Sequence, residues 1–309
     1  MDNAVAQPTL DFTDSTDLLR QPEALRERAQ QNGTMFFRGL LDKEKVLELR
    51  RQIYTLLAER GLLNPDYPLM DGMADYGAVN AMEVSGGHGV GVSDELYKEV
   101  QKLEAFQAML HRPELLDVFR ALFGEEVLPH PKTIARIILP HRDLRVTPPH
   151  QDFLHIQGEP QTWTAWFPLG DCPRELGGLS VLKGSHKEGI IGVTSHGGAG
   201  GLETILCNMN YQWVYGDFQL GDVLLFHSWT VHRAMPNQLG NKVRISCDFR
   251  YQPASAVIDP RSLTAHGPWE WEELYAGYTN EEIQYYWKKH ALTFSEWDES
   301  IRWQKEKIC

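Results

Sequence analysis

From about residue 130 the chain is written in short apolar or alternating runs: KTIARIIL, QTWTAWFPL, GLSVL, WVYGDFQL, DVLLFHSW and VRISCDFRYQ. Pro, Gly, Asp and Asn separate them. Runs this short, rich in β-branched and aromatic residues and punctuated by turn formers, build sandwiches and barrels rather than helical bundles. The core is therefore expected to be mainly β over 130–255, with helical flanks. In 43–60, Val46, Leu49, Ile53, Leu56 and Leu57 fall on one apolar stripe, and Gly61 follows as a stop. TMFFRGLL (34–41) reads as a short buried strand. Residues 95–123 carry two more helical stretches, broken around His111, Arg112 and Pro113, the second ending at Gly124.

Two glycine-rich segments stand apart. The stretch 71–92 has no clear period and reads as an ordered loop or cover, and 189–201 (GIIGVTSHGGAGG) reads as an insertion between strands. Both are candidate lids. After Pro253 the chain becomes helical and aromatic again, with five of the nine tryptophans (Trp269, Trp271, Trp287, Trp297, Trp303) in the tail. These are expected to pack the tail against the core. No polar linker accompanies the change of texture at 130 or at 255. One domain over 1–309 follows, made of a helical flank (1–129), a β core (130–255) and an aromatic-rich helical tail (256–309).

Charge narrows the partners. Thirty Lys and Arg against 42 Asp and Glu leave −12 with neutral histidine. A field of that sign repels phosphate backbones and anionic membrane surfaces, so neither nucleic acid nor a membrane is an expected partner. No apolar run reaches the roughly 18 residues of a membrane span. The opening MDNAVAQPTLDF lacks the basic and apolar regions of a secretory signal, so a cytoplasmic location is expected. Cys172, Cys207, Cys247 and Cys309 form no CxxC pair and suit reduced thiols. No feature announces an oligomeric state.

The chemistry concentrates in TPPHQDFLHIQG (147–158). His150 and Asp152 are two apart, and on an extended strand i and i+2 share a face. An HxD pair alone is weak evidence in a chain with 12 histidines. The run GDVLLFHSWTVHRAMPN (221–237) adds His227 and His232. Two histidines and one carboxylate on one face select Fe(II) in non-haem oxygenases and leave coordination positions open. Downstream, Val243, Ile245, Cys247 and Phe249 alternate with Arg244, Ser246, Asp248 and Arg250. That strand turns its polar face toward a site or toward water. Arg244 and Ser246 offer a guanidinium and a hydroxyl suited to a terminal carboxylate.

The ordered series resembles the phytanoyl-CoA dioxygenase family, the Fe(II)/2-oxoglutarate oxygenases built on a double-stranded β-helix, a jelly-roll or cupin-like core. It is carried by NGTMFFRGLLDKEKVLELRRQI, PELLDVFRALFGEEV, PPHQD, TAWFPLGDCPRELGGLSVLKGSHKEG, and GDVLLFHSWTVHRAMPN with VRIS. The resemblance implies His150, Asp152 and His232 as iron ligands, His232 rather than His227 because it directly precedes the Arg-x-x-Pro-Asn turn. His227 is then packing or support. Arg244 would hold the distal carboxylate of 2-oxoglutarate with Ser246 assisting, Trp166 would line the cosubstrate pocket, and Gln151 would lie near it. Strand alternation, however, points Gln151 away from the metal. A lysine sometimes found ahead of the HxD strand in the family has no counterpart near Leu139.

The implied activity uses Fe(II), 2-oxoglutarate and O2 to hydroxylate an unactivated C–H bond of a small-molecule metabolite, releasing succinate and CO2. The carboxylate of Asp152 favours hydroxylation over halogenation, which needs a small residue there. His155, Arg250 and Asn80 are the candidate substrate contacts. His141, Arg142 and Arg145 form a modest basic cluster, but the overall charge makes a free metabolite a better substrate than a coenzyme A thioester. Two alternatives carry the same fold: a catalytically silent metal-binding or regulatory relative, and a cupin-like enzyme without a keto acid, which leaves Arg244 unexplained.

Overall fold

The computed structural model describes residues 10–82, 90–197, 200–207 and 209–303. Parts of both glycine-rich segments (83–89, 198 and 199) and Cys309 lie outside these residues. The helical flank holds α1 (Pro22–Asn32), α2 (Lys43–Glu59), α3 (Tyr76–Ala81), α4 (Asp94–Gln101), α5 (Glu104–Met109) and α6 (Pro113–Phe123). Helix α2 starts where the Asp42 side chain accepts from Glu44 N, at 2.9 Å, and Lys45 N. An aspartate there satisfies amides that the first turn leaves without partners. Helix α6 opens with Pro113 and closes on Gly124 at φ +73°, a conformation glycine adopts without Cβ strain.

The strands are β1 (Thr34–Phe37), β2 (Val127–Pro129), β3 (Ile134–Ile138), β4 (Trp163–Pro168), β5 (Leu179–Leu182), β6 (Val193–Ser195), β7 (Leu202–Thr204), β8 (Trp213–Val214), β9 (Val223–His227), β10 (His232–Ala234) and β11 (Arg244–Pro253). The larger sheet runs β1-β9-β4-β11-β2, with β3 also paired to β11. A smaller sheet runs β10-β5-β8. His150 extends it through an antiparallel bridge to His232, and Ala234 N donates to Thr147 O. The pair β6-β7 is the described part of the 189–201 insertion and its flank. This is a double-stranded β-helix core with helical flanks.

Period-two alternation sorts the side chains of the larger sheet. In β4, Trp163, Ala165 and Phe167 face the helices and join the main core, while Trp166 faces the smaller sheet. In β9, Val223 and Leu225 face the helices, whereas Leu224 and Phe226 pack between the sheets. In β11, Ile245, Cys247, Phe249 and Tyr251 enter the main core, so Arg244, Ser246, Asp248 and Arg250 must face the interior between the sheets. All four are buried. The polar face of this strand thus meets a site and not solvent.

Three expectations change. The tail is aromatic but scarcely helical: beyond short 3-10 turns its described residues hold only α8 (Trp271–Leu274). Its rings supply the order instead, Trp271 lying 5.1 Å from Tyr275 and 5.2 Å from Trp287, and the tail packs on the main core. Cys172 and Cys247 are free and buried, but Cys207 is disulfide-bonded, which corrects the expectation of reduced thiols throughout. His150 and Asp152 do not converge by strand alternation. The chain leaves the bridge at His150 and turns at once into α7 (Phe153–Ile156), with Asp152 at helical angles, φ −59° and ψ −35°. No helix among the described residues is long and apolar enough to cross a membrane.

Candidate metal centre

Two elements bring the three side chains together: the turn into α7, which carries His150 and Asp152, and β10, which begins at His232. The mutual backbone hydrogen bonds of His150 and His232, at 2.9 and 3.0 Å, place the two imidazoles side by side, with ring centroids 4.1 Å apart. Asp152 Oδ1 lies 3.8 Å from Nε2 of each histidine. One ligand atom from each residue falls within 4.8 Å of the others, and all three residues are buried. This set can hold a metal ion.

The surroundings fix the ligand atoms. His150 Nδ1 lies 2.8 Å from Pro148 O, and His232 Nδ1 lies 3.0 Å from Thr230 O. A carbonyl only accepts, so each Nδ1 carries the proton and each Nε2 keeps its lone pair for a metal. Burial, then the neighbouring His232, pushes His150 down to about 3. Burial also lowers His232. Both imidazoles are neutral at ordinary pH, as ligation requires. Burial alone would raise the Asp152 carboxyl, yet Arg250 and the two imidazoles hold it well below the usual carboxylate range.

Asp152 is braced from behind. Thr164 Oγ1 donates to Oδ2 at 2.6 Å, and Arg250 grips both oxygens, Nε to Oδ2 at 3.2 Å and Nη2 to Oδ1 at 3.1 Å. Arg250 was expected to contact substrate; its guanidinium is instead committed to the Asp152 carboxylate. Thr164 was not foreseen, although Thr162 and Thr164 alternating with tryptophan in QTWTAWFPL carried the signal. Arg136, opposite Ser246 in the β3-β11 register, was also missed. It donates to Asp248 at 2.6 Å, and a lone charge inside KTIARIIL was its mark.

An inner cleft of about 20 Å³ joins the triad to Arg136, Thr164, Trp166, Arg244 and Asp248. Arg244 is 3% exposed. Its Nη1 donates to Ser246 Oγ at 2.6 Å, and its Nε has no hydrogen-bond partner among the described residues. Burial lowers its pKa. A buried guanidinium without a carboxylate is costly unless an anion completes it, so this end of the cleft has the donor chemistry for a diacid. Trp166 lines the same cleft, with an edge contact to Phe218 at 4.7 Å.

A second cavity of about 270 Å³ opens from the triad past Lys132, Ile134, His155, Gly200, Arg250 and His266. His155 lies in it, half-buried and held down at about 3 by burial and by His150. Gly200, from the insertion, sits against its ring: a Cβ there would lie 3.0 Å from His155 Cε1. Two expected contacts fail. The Gln151 amide donates to Gly189 O and Trp229 O, both at 2.7 Å, and accepts from Ile191 N at 2.9 Å. It ties the insertion down and does not reach the cleft. Asn80 bonds Tyr76 O and Arg142 N at 2.9 and 3.0 Å, so it anchors α3 away from both cavities. His227 packs against Trp163 at 5.5 Å and is not in the triad.

The profile of the phytanoyl-CoA dioxygenase (PhyH) family matches residues 29–245, which span both elements that carry the triad and reach Arg244 and its neighbour. The chain belongs to this family. Two relatives named 1-deoxypentalenic acid 11-beta-hydroxylase, from Streptomyces arenae and Streptomyces exfoliatus, are each 29% identical over 84% of this chain and 90% of their own length. Among solved structures, the epimerase SnoN in complex with Fe3+, alpha ketoglutarate and nogalamycin RO superposes with a TM-score of 0.56 at 21% identity, over 77% of this chain and 86% of that one. EctD from S. alaskensis with bound Fe gives 0.52 at 15%, over 94% and 92%. These likenesses carry the fold. As a PhyH-family member the protein is an Fe(II)/2-oxoglutarate-dependent dioxygenase.

Proposed function

We propose that this enzyme hydroxylates a C–H bond of a compact small molecule held in the larger cavity, with His150, Asp152 and His232 as the metal ligands. The observation that carries the reading is the pairing of that neutral-histidine, charged-aspartate triad with a buried, carboxylate-free Arg244 on the same cleft. Bound together there, Fe(II), 2-oxoglutarate and O2 supply the oxidising power for hydroxylation, with succinate and CO2 as co-products. Arg244 and Ser246 take the far carboxylate of the cosubstrate by charge-assisted hydrogen bonds, and Trp166 walls the cleft. The cleft is closed around its lining side chains, so seating the diacid requires them to part. Thr164 and Arg250 keep Asp152 ionised and aimed at the histidines. Ile134, Ile156 and the Gly200 segment limit water around the reacting bond.

Size separates the substrate classes. The cavity lies at the lower edge of the roughly 300–1,000 Å³ of ordinary ligand pockets, which suits a compact metabolite better than a coenzyme A thioester. In the basic cluster, Arg142 already lies 3.5 Å from Asp143. The relatives named above are hydroxylases of 1-deoxypentalenic acid, by name a free acid and not a coenzyme A thioester. The test is iron-dependent conversion of 2-oxoglutarate to succinate, screened for stimulation by small metabolites. Stimulated turnover that disappears in Arg244→Met is expected. Metal binding without succinate under any condition would favour the silent-relative reading.

A further inference from the structure

The larger cavity has three cations in its lining, and two are neutralised. Arg136 is paired with Asp248 at 2.6 Å and Arg250 with Asp152 at 3.1 Å. Lys132 is the third. Among the described residues its ammonium has neither a hydrogen bond nor an ion pair. The nearby Asp259 carboxylate is taken by Arg261, at 3.0 and 3.1 Å. His266 Nδ1 lies 2.8 Å from Tyr97 Oη, and His155 is neutral. With His266 neutral, the described lining of the cavity therefore carries a single surplus positive charge. Iron and 2-oxoglutarate, as a dication and a dianion, leave that surplus unchanged.

The backbone explains why a lysine points there. β2 and β3 both pair with β11, but Pro129 faces Tyr251 while Ile134 faces Asp248. Four residues (130–133) thus span the distance that two residues cover on β11. Such extra residues bulge from the ladder and redirect their side chains, commonly beside a site. Lys132 sits on this bulge, in line with Ile134 and Arg136, which line the same cavity. Half-burying an ammonium next to Arg250 and Arg261 is unfavourable: burial first, then these two cations, lowers it to about 8. Only the attraction of Asp259 opposes that cost, and among the described residues no hydrogen bond or ion pair to the ammonium offsets it.

We propose that Lys132 anchors a carboxylate of the substrate, so that the enzyme acts on a compact monoacid and reads its charge at this bulge. The proposal rests on the oxygenase reading above, which supplies the reacting centre on the same cavity. One surplus charge fits a carboxylate better than a phosphate dianion, which would need a second free cation. Lys132 positions and selects the substrate and takes no part in the oxidation.

The experiment is calorimetric titration of the anaerobic Fe(II)–2-oxoglutarate enzyme with adamantane-1-carboxylic acid and its neutral carboxamide, with inorganic phosphate as competitor. The unsubstituted protein should prefer the acid by about 10-fold or more, the usual scale for one desolvated charge contact. Lys132→Met should abolish the preference, and Lys132→Arg should keep most of it. Lys132→Glu should transfer the preference to 1-adamantylamine. An equal preference in Lys132→Met and the unsubstituted protein, or no binding of acid and amide alike, overturns the proposal. Phosphate competing as strongly as the acid overturns the carboxylate assignment. The visible charge-transfer band of the unsubstituted protein, recorded beforehand, reports the iron and 2-oxoglutarate reading separately: without that band, the oxygenase reading is what has failed.

Discussion

Replacing Thr164 by valine removes one hydroxyl and keeps the shape of a side chain that is 1% exposed in the middle of β4. The hydroxyl donates to Asp152 Oδ2 at 2.6 Å, a hydrogen bond to an ionised group. Such bonds contribute about 1.5–3 kcal/mol. Arg250 Nε remains on the same oxygen at 3.2 Å, so the lower end of that range applies. The bond exists before any metal binds, so its loss appears as fold stability. At about 1.5 kcal/mol the melting temperature of the metal-free protein should fall by about 3–6 °C. A separate effect appears at the metal, because Oδ1 is aimed at the two Nε2 atoms only while Oδ2 is held. Loss of such supporting bonds typically weakens metal binding by about 10- to 100-fold. The assay is anaerobic Fe(II) titration at saturating 2-oxoglutarate, with thermal melts alongside. Thr164→Ser should restore both quantities. Iron affinity within about twofold of the unsubstituted protein, with no change in melting, would refute the claim that Thr164 orients Asp152.

Three further outcomes follow from the same contacts. Arg244→Met should weaken 2-oxoglutarate binding by about 30-fold or more while leaving melting unchanged or raised, since it removes a buried charge that has no acidic partner; paired titration and melting curves check both signs. Gln151→Leu should lower the melting temperature and expose the 189–201 insertion to limited proteolysis, because three hydrogen bonds to that segment and to Trp229 are lost. Binding of adamantane-1-carboxylic acid should hold below pH 8 and weaken about tenfold per unit above it, since Lys132, lowered to about 8 with Arg250, Arg261 and Asp259 facing it, is charged only on the acid side. A flat profile from pH 7 to 10 contradicts that assignment.

Legibility in the sequence followed the range of each interaction. The alternation of β11 is local, and it put Arg244 and Ser246 on one shared polar face before any pairing was known; only the second sheet makes that face interior. The series HxD, distant histidine, Arg-x-Ser likewise survives as a linear pattern. The role of Arg250 does not, because choosing between substrate and Asp152 depends on residues 98 positions apart becoming neighbours. Lys132 was hidden for a related reason: its orientation comes from a mismatch between two strand registers, visible only when β2 and β3 are both laid on β11. Asn80 and Gln151 misled because a polar side chain near a motif can as readily satisfy backbone as ligand. The tail misled because aromatic density without helical period was read as helix, whereas ring packing orders it in short turns.

The central claim is most directly tested by the absorption difference spectrum of the anaerobic protein on adding Fe(II) and 2-oxoglutarate together. A visible charge-transfer band should appear, vanish in Asp152→Ala and in His232→Ala, and weaken in Arg244→Met at fixed 2-oxoglutarate. A folded protein that develops no band, or one whose band survives loss of Asp152 or His232, would contradict the assignment of this triad as the oxygenase centre.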